Sequence, residues 1–495
     1  NMYHMIHVEV VESDEEDVLM DPRTRVSDGE LHGSWSGDVA VFRGVPFASL
    51  PARFAAPAPP EPWTGRRTAT IFGPPPPQSG APDSAVSATD GDDWLTLNVW
   101  SPDLAGQLPV MVWIQGGGYL FGTSGLPEYD GTRLARQGVV VVTFNYRVGL
   151  EGFGQIDGTP SNRGLLDQVA ALAWVQDNIT AFGGDPLRVA LFGQSAGAGS
   201  IASLLVMPRA SGLFARAIAQ SVPGVFFTPA LAAAIPRACA AHVGRLPTEL
   251  DRVDPRVLAE AGGAVLATAN EHVQRWGLAA HAGVVFAPVV DGDVLPTTPW
   301  SGLGEGVDLL VGHTRHEQRL LSALTGRLGR VTVEQAQESA RLFAPDPEAY
   351  LRRFSDPEEL DDFARSDWLF RMPSVKLAEA HLTVGPTYVY ELTWSAPGMG
   401  GILGACHGLD VPLVFGNLAE GQTAMLIGDE IAAARAVSDR MQAAWTAFAA
   451  TGTPGWPTFD SGRCCVFDTD PQIADYPEEF SRRHWTSAPD VLDLS

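Results

Sequence analysis

Five residues carry the strongest chemical pattern in the chain: Gly193-Gln194-Ser195-Ala196-Gly197, directly after the apolar run Val189-Ala190-Leu191-Phe192. A buried strand that turns sharply into a helix forces its turn residue into strained dihedrals. A serine at that turn stands clear of the backbone, with its hydroxyl presented to a reactant. Glycines two places to either side admit the close approach of strand and helix. Residues 198–207 are small and then aliphatic, as a helix packed tightly on a sheet requires. A glycine-rich turn with a bystander serine is the plain alternative, and a chain with 52 glycines offers chances for one. The partners of the serine decide between the two.

A serine hydroxyl is a weak nucleophile until a histidine takes its proton, an acid orients that histidine, and N–H groups face the developing oxyanion. The N–H groups have a candidate in Gly116-Gly117-Gly118, which follow the strand-like run 109–115. A phosphate-binding loop would need a Lys-Ser/Thr pair after the glycines, and the single lysine of this chain is Lys376. The acid and the histidine are expected downstream, in that order. Residues 308–312 (DLLVG) read as a strand, with His313, Thr314, Arg315, His316 and Glu317 as its loop. His407 lies further on in GACHGLD (404–410), ahead of the apolar segment 411–415. Taken singly, Glu317 and His407 each also fit an ordinary residue outside any site. The string His313-x-x-His316-Glu317 lacks the H-E-x-x-H order of a zinc-binding helix and has no accompanying ligand set, so no metal is expected.

In their order along the chain these segments resemble the type-B carboxylesterase family, the α/β-hydrolases that include cholinesterases and bacterial para-nitrobenzyl esterases. FRGVPFA (42–48) and DDWLTLNVW (92–100) resemble two family signatures, and SNRGLLDQVAALAWVQDNITAFGGDP (161–186) its long helix and the turn into the elbow strand. APVVDGDVLP (287–296), GACHGLDVPLVFGN (404–417) and AWTAFAATGTPGWP (444–457) complete a likeness that runs over nearly the whole chain. The resemblance implies an α/β-hydrolase fold, with a large, mostly parallel central sheet flanked by helices. It implies a serine carboxylesterase with catalytic Ser195, Glu317 and His407, oxyanion N–H groups on Gly117, Gly118 and Ala196, and Ser221 as a hydroxyl beside the triad. It implies a small-molecule ester as substrate and neither metal nor organic cofactor.

Three departures from the family pattern surround this chemistry. Gln115 stands where relatives often carry a histidine or an aromatic, Gln194 where a glutamate usually precedes the nucleophile, and His316 where an aspartate usually precedes the acid. Two of these replace a carboxylate, which weakens stabilisation of a protonated His407 and leaves a site that tolerates an anionic substrate better. Neutral drift explains them equally well. An acyltransferase or cyclase using the same triad is the alternative these departures suggest. A non-catalytic binding protein, a role known in the family, is the other.

A chain of 495 residues exceeds the usual domain length. One domain over 25–495 is nevertheless expected, because residues from 195 to 407 must meet, with 1–24 as an acidic, loose segment that holds a possible strand at 5–11. Insertions at about 226–282 and 318–385 are expected to wall the pocket; Phe121, Phe226, Phe227, Trp276, Phe286, Trp368 and Phe370 are candidate wall aromatics, with core packing the favoured role for any one of them. The irregular stretches 74–77 and 79–93 are expected to border its mouth. Near-continuous apolar runs at 110–114, 139–144 and 189–192 read as buried parallel strands, and 165–178 reads as an amphipathic helix. The net charge of −25 disfavours nucleic acid and anionic membranes as partners, and no apolar span is long enough to cross a membrane. The first residues lack a basic region followed by an apolar stretch, so no secretory signal is expected. The four cysteines form no framework, with Trp94 where eukaryotic relatives tend to carry a disulfide. A reducing cytoplasm is the expected location. One lysine against 32 arginines fits a GC-rich bacterial gene.

Overall fold

The computed structural model describes residues 21–79, 91–485 and 491–495. The strand expected at 5–11 and most of the loop 79–93 lie outside the described residues. Strands β1 (Arg23–Val26), β2 (Gly29–His32) and β5 (Arg66–Thr68) form a small sheet in the order β1-β2-β5. Pairing therefore starts at Arg23, just inside the segment 1–24. The main sheet comprises β3 (Ser34–Ser36), β4 (Val39–Pro46), β6 (Thr96–Ser101), β7 (Leu108–Ile114), β8 (Val140–Phe144) and β9 (Gly184–Gln194). Then come β10 (Arg216–Gln220), β11 (Asp308–Thr314), β12 (Thr387–Leu392), β13 (Arg463–Phe467) and β14 (Gln472–Asp475). Their spatial order is β14-β13-β12-β11-β10-β9-β7-β8-β6-β4-β3. The pairs from β8 through β13 are parallel, and antiparallel strands close both edges.

Side chains alternate across the sheet, so each central strand feeds two cores. Val110, Val112, Ile114, Val140, Val142 and Phe144 face one side, with Leu165, Leu172 and Val175 of the helix Arg163–Asn178 and Ile201 of the helix Ala196–Leu204. Met111, Trp113, Val141 and Phe192 face the other, against Val437, Met441, Trp445 and Phe448 of the helix Ile431–Thr451. Strands buried on both faces need no polar alternation, which is why they read as continuous apolar runs. Each fully buried large aliphatic or aromatic side chain contributes about 1.5–3 kcal/mol relative to exposure.

The chain order reverses direction between β7 and β9, and open parallel sheets place ligands outside the carboxyl ends of the strands at such a point. The register brings those ends level: Ile114 is opposite Gly193, Gln194 opposite Gln220, and Gln220 opposite Gly312. The glycine loop after β7, the turn after β9, Ser221 after β10 and the acid loop after β11 therefore emerge side by side. The first expected insertion holds the helices Pro229–His242, Pro255–Ala267 and Val273–Ala282. The second holds Val333–Phe343, Pro347–Arg353, Pro357–Ser366 and Met372–His381, with a π-helical turn, Asp367–Arg371, before the last.

Two elements differ from expectation. β11 continues through His313 and Thr314, which pair with Glu391 and Leu392 of β12, so the loop shrinks to Arg315 and His316. Glu317 already begins the helix Glu317–Leu324. The neighbouring strand supplies pairing partners that a local reading of two polar residues does not contain.

Candidate active site

Ser195 occupies the sharp turn between β9 and the helix Ala196–Leu204, with φ +58° and ψ −123°. Few L-residues adopt that region, and two glycines make it attainable. A Cβ on Gly197 would stand 1.9 Å from the carbonyl oxygen of Ile114, and one on Gly193 would stand 2.7 Å from the same atom. Backbone contacts of Ser195 hold the turn: its N–H donates to Gln220 O at 2.9 Å, and its carbonyl accepts from Gly199 N–H at 2.9 Å. Serine at a helix N-cap ordinarily uses its hydroxyl to bond the first free N–H groups. Here the dihedrals carry it away, and Ser195 caps nothing. Its side chain is half-buried, and its hydroxyl has no hydrogen-bond partner among the described residues.

Glu317 is fully buried and its carboxylate receives three donors. The Ser221 hydroxyl donates to Oε1 at 2.6 Å, Thr314 N–H donates to Oε1 at 2.8 Å, and His407 Nδ1 lies 2.5 Å from Oε2. Burial opposes the charge, but His407, Ser221 and Thr314 outweigh it and hold the carboxyl below the usual range. The Nδ1 contact sets the tautomer, because a ring nitrogen donating to a carboxylate leaves Nε2 as the acceptor. The Ser195 hydroxyl itself is not hydrogen-bonded to His407; besides Glu317, the imidazole meets the Gln194 side-chain nitrogen, 3.1 Å from Nε2 and 3.4 Å from Nδ1. Such contacts commonly tighten only with substrate in place.

Gly117 and Gly118 follow β7 at φ +109° and +60°. A Cβ on Gly117 would meet Phe121 O at 2.0 Å, so the loop doubles back on itself only because that residue is glycine. Among the described residues, no acceptor is hydrogen-bonded to the N–H of Gly117, Gly118 or Ala196. The N-terminus of the helix Ala196–Leu204 adds its dipole at the same place.

The remaining expected residues have distinct positions. Ser221, at φ +60°, directs its hydroxyl to Glu317. His316 is engaged with the backbone of Ala405. Its N–H donates to Ala405 O at 2.8 Å and its Nδ1 accepts from Ala405 N–H at 3.2 Å, joining the acid loop to the histidine loop. Burial, with Arg319, Arg371 and Arg315 nearby, pushes its pKa down to about 3 and keeps it neutral. Gln115 is buried beneath the glycine loop, and neither end of its amide has a protein partner among the described residues. His313 is a core residue, 2.7 Å from the Tyr476 hydroxyl.

Of the seven aromatics expected to wall the pocket, Phe226, Phe227, Trp276, Phe286 and Trp368 belong to the main core and Phe121 packs against it. Phe370, in the π-helical turn, stacks on the His407 ring with centroids 4.1 Å apart and planes 27° apart. Two further residues escaped the sequence reading. Gln78 clasps the end of the glycine loop, accepting from Gly122 N–H at 2.9 Å and donating to Gly122 O at 3.2 Å. Asp410, three residues after His407, is buried beneath it and accepts the Tyr390 hydroxyl at 2.9 Å. Burial pushes its pKa up to about 6. The i, i+3 spacing from His407 was the available signal for Asp410.

The carboxylesterase family model matches residues 21–472, spanning every element above that bears a site residue. The chain belongs to the carboxylesterase family. It is similar to the para-nitrobenzyl esterase of Bacillus subtilis, 34% identical over 92% of this chain and 96% of that one. It is equally similar to the phenmedipham hydrolase of Pseudarthrobacter oxydans, 34% identical over 93% of this chain and 97% of that one. Among solved structures, a thermophilic para-nitrobenzyl esterase superposes with a TM-score of 0.83 at 33% identity, covering 93% of this chain and 99% of its own. A carboxylesterase of Geobacillus stearothermophilus gives 0.80 at 32% identity, covering 94% of this chain and 100% of its own. The fold is the α/β-hydrolase fold, and this carboxylesterase is a carboxylic ester hydrolase. No helix among the described residues is long and apolar enough to cross a membrane.

Proposed function

We propose that this carboxylesterase hydrolyses small-molecule esters through an acyl-enzyme on Ser195. His407 Nε2 takes the hydroxyl proton as Ser195 Oγ attacks the ester carbonyl, and Glu317 stabilises the imidazolium through Nδ1. The N–H groups of Gly117, Gly118 and Ala196 receive the oxyanion. Collapse of the tetrahedral intermediate breaks the C–O bond, and the leaving alkoxide takes the proton from His407. Water then repeats the sequence on the acyl-enzyme and releases the acid. The observation that carries this reading is the serine hydroxyl that caps nothing at a strained turn, with three N–H groups that have no acceptor among the described residues.

The test is hydrolysis of para-nitrophenyl esters from acetate to decanoate, beside Ser195→Ala. The expected result is turnover in the parent and its loss by several orders of magnitude in the variant. Turnover surviving in Ser195→Ala overturns the assignment. Free acid as the product separates hydrolysis from acyl transfer to another nucleophile. The four cysteines are buried and unpaired, which supports a reducing cytoplasm. The charge of −25 supports a small molecule as partner, with neither nucleic acid nor an anionic membrane surface.

A further inference from the structure

We infer that His407 is clamped between two positioning residues, the Gln194 carboxamide on one ring face and the Phe370 ring on the other, and that the neutrality of the amide sets the acid limit of activity. The inference rests on the triad proposed above and deepens it.

The geometry begins with two distances. Gln194 Nε2 is 3.1 Å from Nε2 and 3.4 Å from Nδ1 of the same imidazole. The two ring nitrogens flank one carbon, so an atom at that distance from both lies over the ring. In the ring plane it would collide with the carbon between them. The contact is therefore not in line with the Nε2 lone pair, where a hydrogen bond is directed. Phe370, stacked at 4.1 Å, already covers one face, so the amide takes the other. The Nε2 lone pair stays free in the plane for Ser195, and both rotations that would tip the ring out of that plane are blocked.

The far end of the amide sits beside the glycine loop. A Cβ on Gly116 would stand 3.2 Å from Gln194 Oε1 and 3.2 Å from Ser195 Cβ, so Oε1 lies against the glycine loop. One side chain thus spans from the start of that loop to the base. Phe370 owes its placement to the π-helical turn, whose extra residue per turn changes the direction in which the side chain projects.

Both clamping groups are uncharged, and the charged or titratable groups around the ring come from several elements. Glu317 meets its Nδ1, and Asp410 and Cys406 lie on its own segment. His316 bridges to Cys406 from the acid loop, with Arg319 against Gly404. The π-helical turn carries Asp367 and Arg371, which pair with each other. None of these occupies the face that Gln194 takes. A carboxylate there would favour the imidazolium from a position in direct contact and move the acid limb of the rate profile to higher pH by about one unit or more.

The experiment follows two rates across about pH 5 to 9: kcat/KM for para-nitrophenyl butyrate, and phosphonylation of Ser195 by a fluorophosphonate. It compares the parent with Gln194→Glu, Gln194→Met and Phe370→Leu. Gln194→Glu is expected to raise the acid limb by about one unit in both assays. Gln194→Met and Phe370→Leu are expected to leave the limb in place and lower the plateau kcat severalfold, with KM little changed. An acid limb unmoved in Gln194→Glu overturns the charge argument, and an unchanged plateau in Gln194→Met or in Phe370→Leu overturns the clamp. Should Gln194→Glu lose its cooperative melt, Gln194→Met and Phe370→Leu still test the clamp. A parent that is phosphonylated yet hydrolyses no ester refutes the esterase reading alone, and the limb shift is still read from phosphonylation.

Discussion

Replacing Ser221 by alanine removes one hydrogen-bond donor from a fully buried carboxylate. Ser221 Oγ donates to Glu317 Oε1 at 2.6 Å, and the variant leaves that oxygen with Thr314 N–H alone. A hydrogen bond to a charged, buried acceptor is worth about 1.5–3 kcal/mol. Alanine tolerates the φ of +60° no worse than serine does, so backbone strain adds little to the difference. Expressed in folding alone, about 2 kcal/mol lowers the melting midpoint by a few degrees. Expressed in the transition state, where Glu317 must stabilise an imidazolium, about 2 kcal/mol lowers kcat/KM roughly thirtyfold. The structure favours both effects together, with KM little changed, because the hydroxyl reaches only Glu317. The pH sign follows from the direction of the Glu317 shift. Its carboxyl is held below its ordinary value, so the stability it contributes is present at neutral pH and is lost as pH falls through its folded pKa. The gap in melting midpoint between parent and variant is therefore expected to narrow on acidification. Ester hydrolysis at about pH 8, with thermal melts there and at a pH below about 4, measures both quantities. A variant within about twofold of the parent rate and melting at the same midpoint would refute the reasoning.

Other outcomes follow from the same geometry. Gly197→Ala drives a Cβ into the Ile114 carbonyl at 1.9 Å and is expected not to fold, whereas Gly118→Ala meets nothing within 4 Å. The second change carries only the strain of φ +60°, about 1–2 kcal/mol; soluble yield and melting separate the two. Asp410→Asn is expected to be stabilising above pH 6, by up to roughly 3 kcal/mol, because burial penalises the charged form of Asp410 there. The advantage shrinks as pH falls below about 6, where the parent carboxyl takes up its proton in the fold, and is gone only below its ordinary value of 3.8. Urea unfolding on either side of that pH tests the sign, and an advantage that grows on acidification contradicts it. Gln78→Ala is expected to lower kcat severalfold with little loss of stability, since its two bonds to Gly122 hold the glycine loop from outside the core. Steady-state kinetics beside a melt checks the split.

The elbow at Ser195 was legible because its causes are local. A turn at φ +58° with a carbonyl 1.9 Å from a hypothetical Cβ has to be written as glycine, serine and small residues within a few positions. The strands β7, β8 and β9 were legible for a similar reason, since burial on both faces demands unbroken apolar runs. The resemblance extended that reading to Glu317, His407 and Ser221, which the structure brings together at hydrogen-bonding distance.

Other features depended on partners far along the chain. His313 and Thr314 are strand residues because β12 offers them pairing, and His316 is a staple because Ala405 lies opposite it. Phe370 was one of seven aromatics with equal claims until the π-helical turn set it on His407. Gln194 read as a lost carboxylate, and only the two distances to the imidazole showed on which side of the ring the neutral amide lies. Steric limits on φ, clearance and burial act on each residue and its neighbours, so they leave their mark in composition and spacing. Contacts between ring, amide and carboxylate depend on ångström-scale separations fixed by sheet register and insertion packing, which no single segment records.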